Sequence, residues 1–100
     1  MDIIRWNKFS LPQKMGNIGS EVARARLCEE KKDETGRDAS LNRVLEMLNA
    51  TLDSNLPTSG KKELTTAKEI INNWFVGNKD IEYSPRLLEE YFTQFAYLKN

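Results

Sequence analysis

Residue types that do chemistry are sparse in this chain, and their spacing narrows them further. There is no histidine, and the single cysteine is Cys28. That removes Ser-His and Cys-His nucleophile systems, histidine-ligated metals and the commonest general base. One thiol cannot complete a structural zinc site. Two adjacent carboxylate pairs remain, Glu29–Glu30 and Glu89–Glu90. A di-iron helical bundle builds its centre from Glu-x-x-His motifs, and none occurs here. Neighbouring residues on a helix point about 100° apart, so neither pair converges on one ion, and both read as solvated helix surface. No G-x-x-x-x-G-K-[ST] loop or EF-hand loop is present. The sequence therefore predicts no catalytic residue, no metal and no cofactor, in a protein that is not an enzyme.

The unusual stretch is Gln13 to Arg26, QKMGNIGSEVARAR. It reads as a helix, yet it carries Gly16 and Gly19. Each glycine inside a helix costs about 1 kcal/mol relative to alanine, and their place within a helix rules out a phosphate loop. Arranged at about 100° per residue, Leu11, Met15, Ile18, Val22 and Ala25 share one apolar stripe. Gly16, Gly19, Ser20 and Ala23 form an adjacent stripe of small residues, the kind that lets another backbone come close. Gln13, Asn17, Glu21 and Arg24 face the other way. Arg26 falls between the two stripes. Either its stem lies along the core edge with its head in water, or it pairs with a carboxylate on another helix or subunit. Glu21 and Arg24, three residues apart, form a local surface pair. Cys28 reads as an ordinary small residue.

The elements that position this helix follow from periodicity and capping. Ser10 and Gln13 make a capping box, with Pro12 in the first turn, and the helix runs over 11–31. The charged stretch Lys31 to Ser40, containing Gly36, reads as a connection, and Asp33, Thr35, Asp38 and Ser40 are alternative caps for the next helix. That helix, 37–52, carries Leu41, Leu45, Leu48 and Leu52, widened by Val44 and Met47. Asp53 to Gly60 is a loop rich in Ser, Asn, Pro and Gly. The next helix, 61–76, has Leu64, Ala67, Ile70, Ile71, Trp74 and Phe75 on one face, and Gly77-Asn78 stops it. Ser84-Pro85 starts the last helix, 85–98. Ahead of them all, residues 1–9 hold Ile3, Ile4, Trp6 and Phe9, so this segment reads as an arm packed on the bundle, with Trp6 and Phe9 as its anchors. No stretch alternates as a strand does. The expected fold is all-α: one domain over residues 1–100, an antiparallel four-helix bundle with an N-terminal arm.

Composition bounds the partners. The chain has 100 residues, 39% hydrophobic and 30% charged, with fifteen basic and fifteen acidic side chains. A net charge of zero argues against a dedicated nucleic-acid binder. Lys14, Arg24, Lys31 and Lys32 form the one basic set near the glycine-bearing helix, interleaved with acids. No run approaches the roughly 20 apolar residues that span a bilayer, and one lone cysteine in a small domain points to the cytoplasm. Five of the nine aromatics lie between Tyr83 and Tyr97, more than one helix face needs.

Asn17 to Val22 (NIGSEV) and Tyr91 to Ala96 (YFTQFA) together resemble a signature of small, uncharacterised bacterial all-helical proteins. The resemblance implies a helical fold and a bacterial origin, and no activity. In architecture alone the chain is similar to oligomeric four-helix proteins linked to ribosomal RNA insertions and retroelement accessory factors, which are basic where this chain is neutral.

These readings converge on a non-enzymatic helical module that self-associates or binds a partner protein. Its contact residues are expected to be Gly16, Gly19, Ser20, Ala23 and Arg26 on one helix and Tyr91, Gln94 and Phe95 on another. A nucleic-acid or ribonucleoprotein accessory factor is the second reading. A component of a small bacterial defence or toxin–antitoxin pair is the third. Whether the small-residue stripe packs within the chain or between chains is left open by the sequence.

Overall fold

The computed structural model describes residues 1–76 and 85–94. Five helices follow in chain order: α1 (Ile3–Asn7), α2 (Leu11–Glu30), α3 (Glu34–Leu52), α4 (Thr58–Val76) and α5 (Pro85–Thr93). There is no strand among the described residues. The glycine-bearing helix α2 packs against α3 and α5, α4 packs against α3, and α1 rests on α3.

The start of α2 is the capping box that its sequence encodes. The Gln13 N–H donates to Ser10 Oγ at 3.2 Å, and the Ser10 N–H donates to Gln13 Oε1 at 2.9 Å. Met15, Ile18, Val22 and Ala25 are buried as the stripe requires, but Leu11 is not. Leu11 is the first residue of the helix and stands 40% exposed, ahead of the core.

The junction between α2 and α3 is tighter than composition suggested. The second helix was expected from 37, after a long charged connection; it begins at Glu34. Lys32 takes φ 61°, its N–H donates to the Glu29 carbonyl at 3.0 Å, and the Asp33 N–H reaches back to the Cys28 carbonyl at 2.8 Å. This pair of reversed bonds closes a helix C-terminus in the Schellman manner, with lysine where glycine is usual. Asp33 then caps α3 at once, accepting from the Gly36 N–H at 2.9 Å. Gly36 therefore belongs to the first turn of α3. A Cβ there would run into the Asp33 carboxylate and stand 2.9 Å from Cys28 Sγ, so close approach, not loop flexibility, explains the glycine.

A similar shift occurs at α4, expected from 61 and found from Thr58. The Pro57 carbonyl accepts the Lys61 N–H at 3.0 Å. Thr58, Ser59 and Gly60 make the first turn, although their composition reads as loop. Of the last predicted helix, 85–98, α-helix covers Pro85–Thr93, and residues 95–98 lie outside the described residues.

The core joins α2 to Leu41, Val44 and Leu48 of α3, Leu64, Ala67, Ile71 and Trp74 of α4, and Leu88 and Phe92 of α5. On α3 the buried band also takes in Ser40, Ala50 and Thr51, while Leu45 and Leu52 are only partly covered. The band is displaced toward Thr51 because α1 lies there. The segment expected as an arm contains a helix of its own, capped by Asp2, whose carboxylate accepts from the Arg5 N–H. Trp6 is buried and its indole N–H donates to Thr51 Oγ1 at 3.2 Å. Phe9 packs edge-on against it, with ring centroids 5.9 Å apart. Ile3 and Ile4 remain exposed, so the two aromatics are the large apolar side chains that seat this segment on the bundle.

Candidate functional site

Two surfaces of α2 gather the polar and small side chains. The first is its contact with α5. A Cβ built on Gly19 would lie 2.8 Å from Thr93 Cγ2, 3.1 Å from Phe92 Cβ and 3.2 Å from the Thr93 backbone nitrogen. The close neighbour of this glycine is therefore α5 of the same chain. Gly19 is buried, so it offers no surface to another molecule. Gly16 and Ala23 are half-buried, and Ser20 is exposed with its hydroxyl donating to the Gly16 carbonyl at 3.1 Å.

Arg26 stands at the edge of the same contact. Its Nε donates to Glu89 Oε2 on α5 at 2.7 Å, and its Nη1 to Glu30 Oε1 at 2.9 Å. The hydrogen bond to Glu89 pushes the guanidinium above its usual pKa. Partial burial opposes this, and the charge of Glu89 and the bond and charge of Glu30 add to it. One carboxylate from each adjacent pair thus serves this arginine, and Glu30 and Glu89 are not idle solvated surface. Glu29 is engaged too: its Oε1 accepts the Trp74 indole N–H of α4 at 2.9 Å and lies 3.5 Å from Arg37 Nη1. Burial lowers the Arg37 pKa, but the hydrogen bond and charge of Asp38, with Glu29 and Glu34 nearby, outweigh it and leave the net shift upward.

Tyr91 of α5 is half-buried, and its hydroxyl donates to Glu63 Oε2 of α4 at 3.1 Å. Burial first, then that hydrogen bond and the carboxylate's charge, push the phenol up to about 12. Gln94 is exposed. Phe95 lies outside the described residues. Of the expected contact residues, then, Gly19 meets α5 directly and Arg26 reaches α5 through Glu89, while Tyr91 points to α4.

The second surface is a groove of about 630 Å³ bounded by α1, α2 and α3. Asn17, Ser20 and Glu21, the polar side of the recognisable stretch of α2, line it. Trp6, Phe9 and Met47 supply its apolar lining, and Arg5, Arg24 and Arg43 its cations. Glu21 organises two of these arginines. Its Oε1 accepts from Arg24 Nη1 at 2.8 Å and its Oε2 from Arg43 Nε at 2.9 Å. Arg43 is further held by a 3.1 Å bond from Nη2 to Ser40 Oγ. The remaining acid, Glu46, lies 3.8 Å from the N-terminal ammonium.

Sequence reasoning found the Glu21–Arg24 pair but missed Arg5, Arg43 and Thr51. Spacing along a helix reveals partners three or four residues away; Arg43 lies 22 residues from Glu21 and Thr51 lies 45 from Trp6. The basic set expected to serve nucleic acid is not one stripe, since Lys14 is buried and Arg24 is tied to Glu21. No group of three or more His, Cys, Asp or Glu side chains could hold a metal among the described residues. No helix among them is long and apolar enough to cross a membrane. No family model, curated protein or solved structure matches the chain.

Proposed function

We propose that this chain is a non-enzymatic helical interaction module that associates with a second copy of itself or with a partner protein. In this reading α2 to α5 form an antiparallel four-helix bundle and α1 is the arm upon it, acting in a bacterial cytoplasm. The packing of α2 between α3 and α5, and of α4 on α3, supports that arrangement. Gly19 of the small-residue stripe is covered by α5, whereas Ser20 stays exposed. The observation that carries the proposal is the exposed apolar cluster at the N-terminus and the start of α1. Met1, Ile3 and Ile4 are 54%, 49% and 75% exposed, three large apolar side chains within four residues. Clustered exposed apolar surface of this kind marks sites of association, and burying it would also fix a helix too short to be stable alone.

The test is the mass in solution by light scattering across a range of protein concentrations, with a pull-down alongside. Association that Ile4→Ser weakens is the expected result. A monomer at every concentration that also captures no partner in the wild-type form sinks the proposal.

A further inference from the structure

We propose that the groove between α1, α2 and α3 binds an organic anion: a carboxylate or phosphate head on an apolar body. Its volume of about 630 Å³ falls in the range of small-molecule sites, which pair apolar walls with a few placed polar groups. Trp6 and Met47, both nearly buried, give an apolar floor. The charge balance favours an anion. Three arginines and the N-terminal Met1 line the groove, against two carboxylates, Glu21 and Glu46. Glu21 is fully engaged, with one arginine on each oxygen, so one carboxylate faces two guanidinium groups and leaves a surplus of positive charge.

The donors left over are suited to a planar or tetrahedral oxyanion. Arg24 uses only Nη1, so its Nε–Nη2 edge, the side that makes a two-bond fork, has no partner among the described residues. Arg5 contributes a guanidinium that makes no side-chain bond among them. A guanidinium edge matches carboxylate and phosphate oxygens in pairs of parallel bonds. Glu21 also restrains Arg24 and Arg43 before any ligand arrives, which lowers the ordering cost of binding. The groove shares Met1 with the exposed apolar cluster but not Ile3 or Ile4, so light scattering and the anion titration test the two proposals separately.

The experiment is a titration followed by NMR of the two tryptophan indole N–H signals, with Trp6→Phe used to assign them. The probes are N-acetyl-L-phenylalanine, its neutral amide, and phenyl phosphate, each at constant ionic strength. Either anion is expected to move the Trp6 indole signal, which reports on the groove floor, and to leave that of Trp74 in place. Arg5→Gln and Arg24→Gln, at exposed positions that leave the helical circular dichroism unchanged, are each expected to raise Kd by about tenfold or more. A carboxylate preference identifies a chain terminus or organic acid as the natural class, and a phosphate preference an organic phosphate. The idea is overturned if the neutral amide binds as well as both anions, if no probe moves the Trp6 signal, or if neither arginine substitution weakens binding.

Discussion

Gly19 of α2 and Thr93 of α5 approach so closely that no side chain fits between them: a Cβ on Gly19 would stand 2.8 Å from Thr93 Cγ2. The glycine therefore gives up helix propensity for a contact between helices that are far apart in sequence. Gly19→Ala should gain about 1 kcal/mol of intrinsic helix propensity and lose more, because the nearest atoms include the Thr93 backbone nitrogen as well as side chains. A net loss of about 1–2 kcal/mol follows from the usual cost of overpacking, read as a lowered urea midpoint. Gly19→Leu should displace α5 altogether. If Gly19→Ala were as stable as the wild type, the contact would be looser than described.

Thr51 and Trp6 make the complementary test at α1. Thr51 is fully buried, and its hydroxyl accepts from the Trp6 indole while donating to the Met47 carbonyl at 2.7 Å. Thr51→Val keeps the shape and removes the acceptor, leaving a buried N–H without a partner at a cost of about 1–3 kcal/mol. Because α1 has little else to hold it, the loss should show first as faster amide hydrogen exchange in residues 3–9, ahead of any change in α2. Uniform acceleration across all helices would contradict this.

Lys32 is the site where stability is most easily gained. It holds φ 61°, a conformation that penalises residues bearing a Cβ and is open to glycine. Lys32→Gly should raise stability by about 1 kcal/mol without altering the junction. An unchanged or lowered melting temperature would show that the lysine side chain compensates.

Tyr91 links stability to alkaline pH. Its phenol titrates at about 12 in the fold against about 10 in an unfolded chain. Below pH 10 both states keep the proton, and the stabilisation is fully present. Between 10 and 12 the unfolded state loses its proton first, so stability falls as pH rises through that window. A spectrophotometric titration should show a late tyrosine ionisation that Tyr91→Phe removes. If all tyrosines of the wild type ionise together near 10, the Glu63 contact is absent in solution.

Local signals made part of this architecture legible. Ser10 and Gln13 announce their capping box by spacing alone, and Met15, Ile18, Val22 and Ala25 bury as their periodicity requires. Gly19 was legible as a demand for a close neighbour, though not for which one. What composition misplaced is instructive. Gly36 and Gly60 read as loop and lie in first helical turns, because a cap at Asp33 and the Pro57 carbonyl start those helices early. Leu11 continues the apolar pattern but precedes the core. The groove was legible only on one side: Asn17 and Glu21 stand out on α2, whereas Arg5, Arg43 and Thr51 acquire meaning from helices whose relative placement no local pattern records.

The position of α2 between α3 and α5 also bears on the order of assembly. Its contact with α3 joins neighbours across a three-residue junction, so that hairpin closes a short loop and forms quickly. Its contact with α5 joins residues as far apart as Gly19 and Thr93, and such closure costs more entropy and comes later. During synthesis the α2–α3 hairpin leaves the ribosome with the glycine face of α2 still bare. That face stays open until α5 has been made and can close over Gly19.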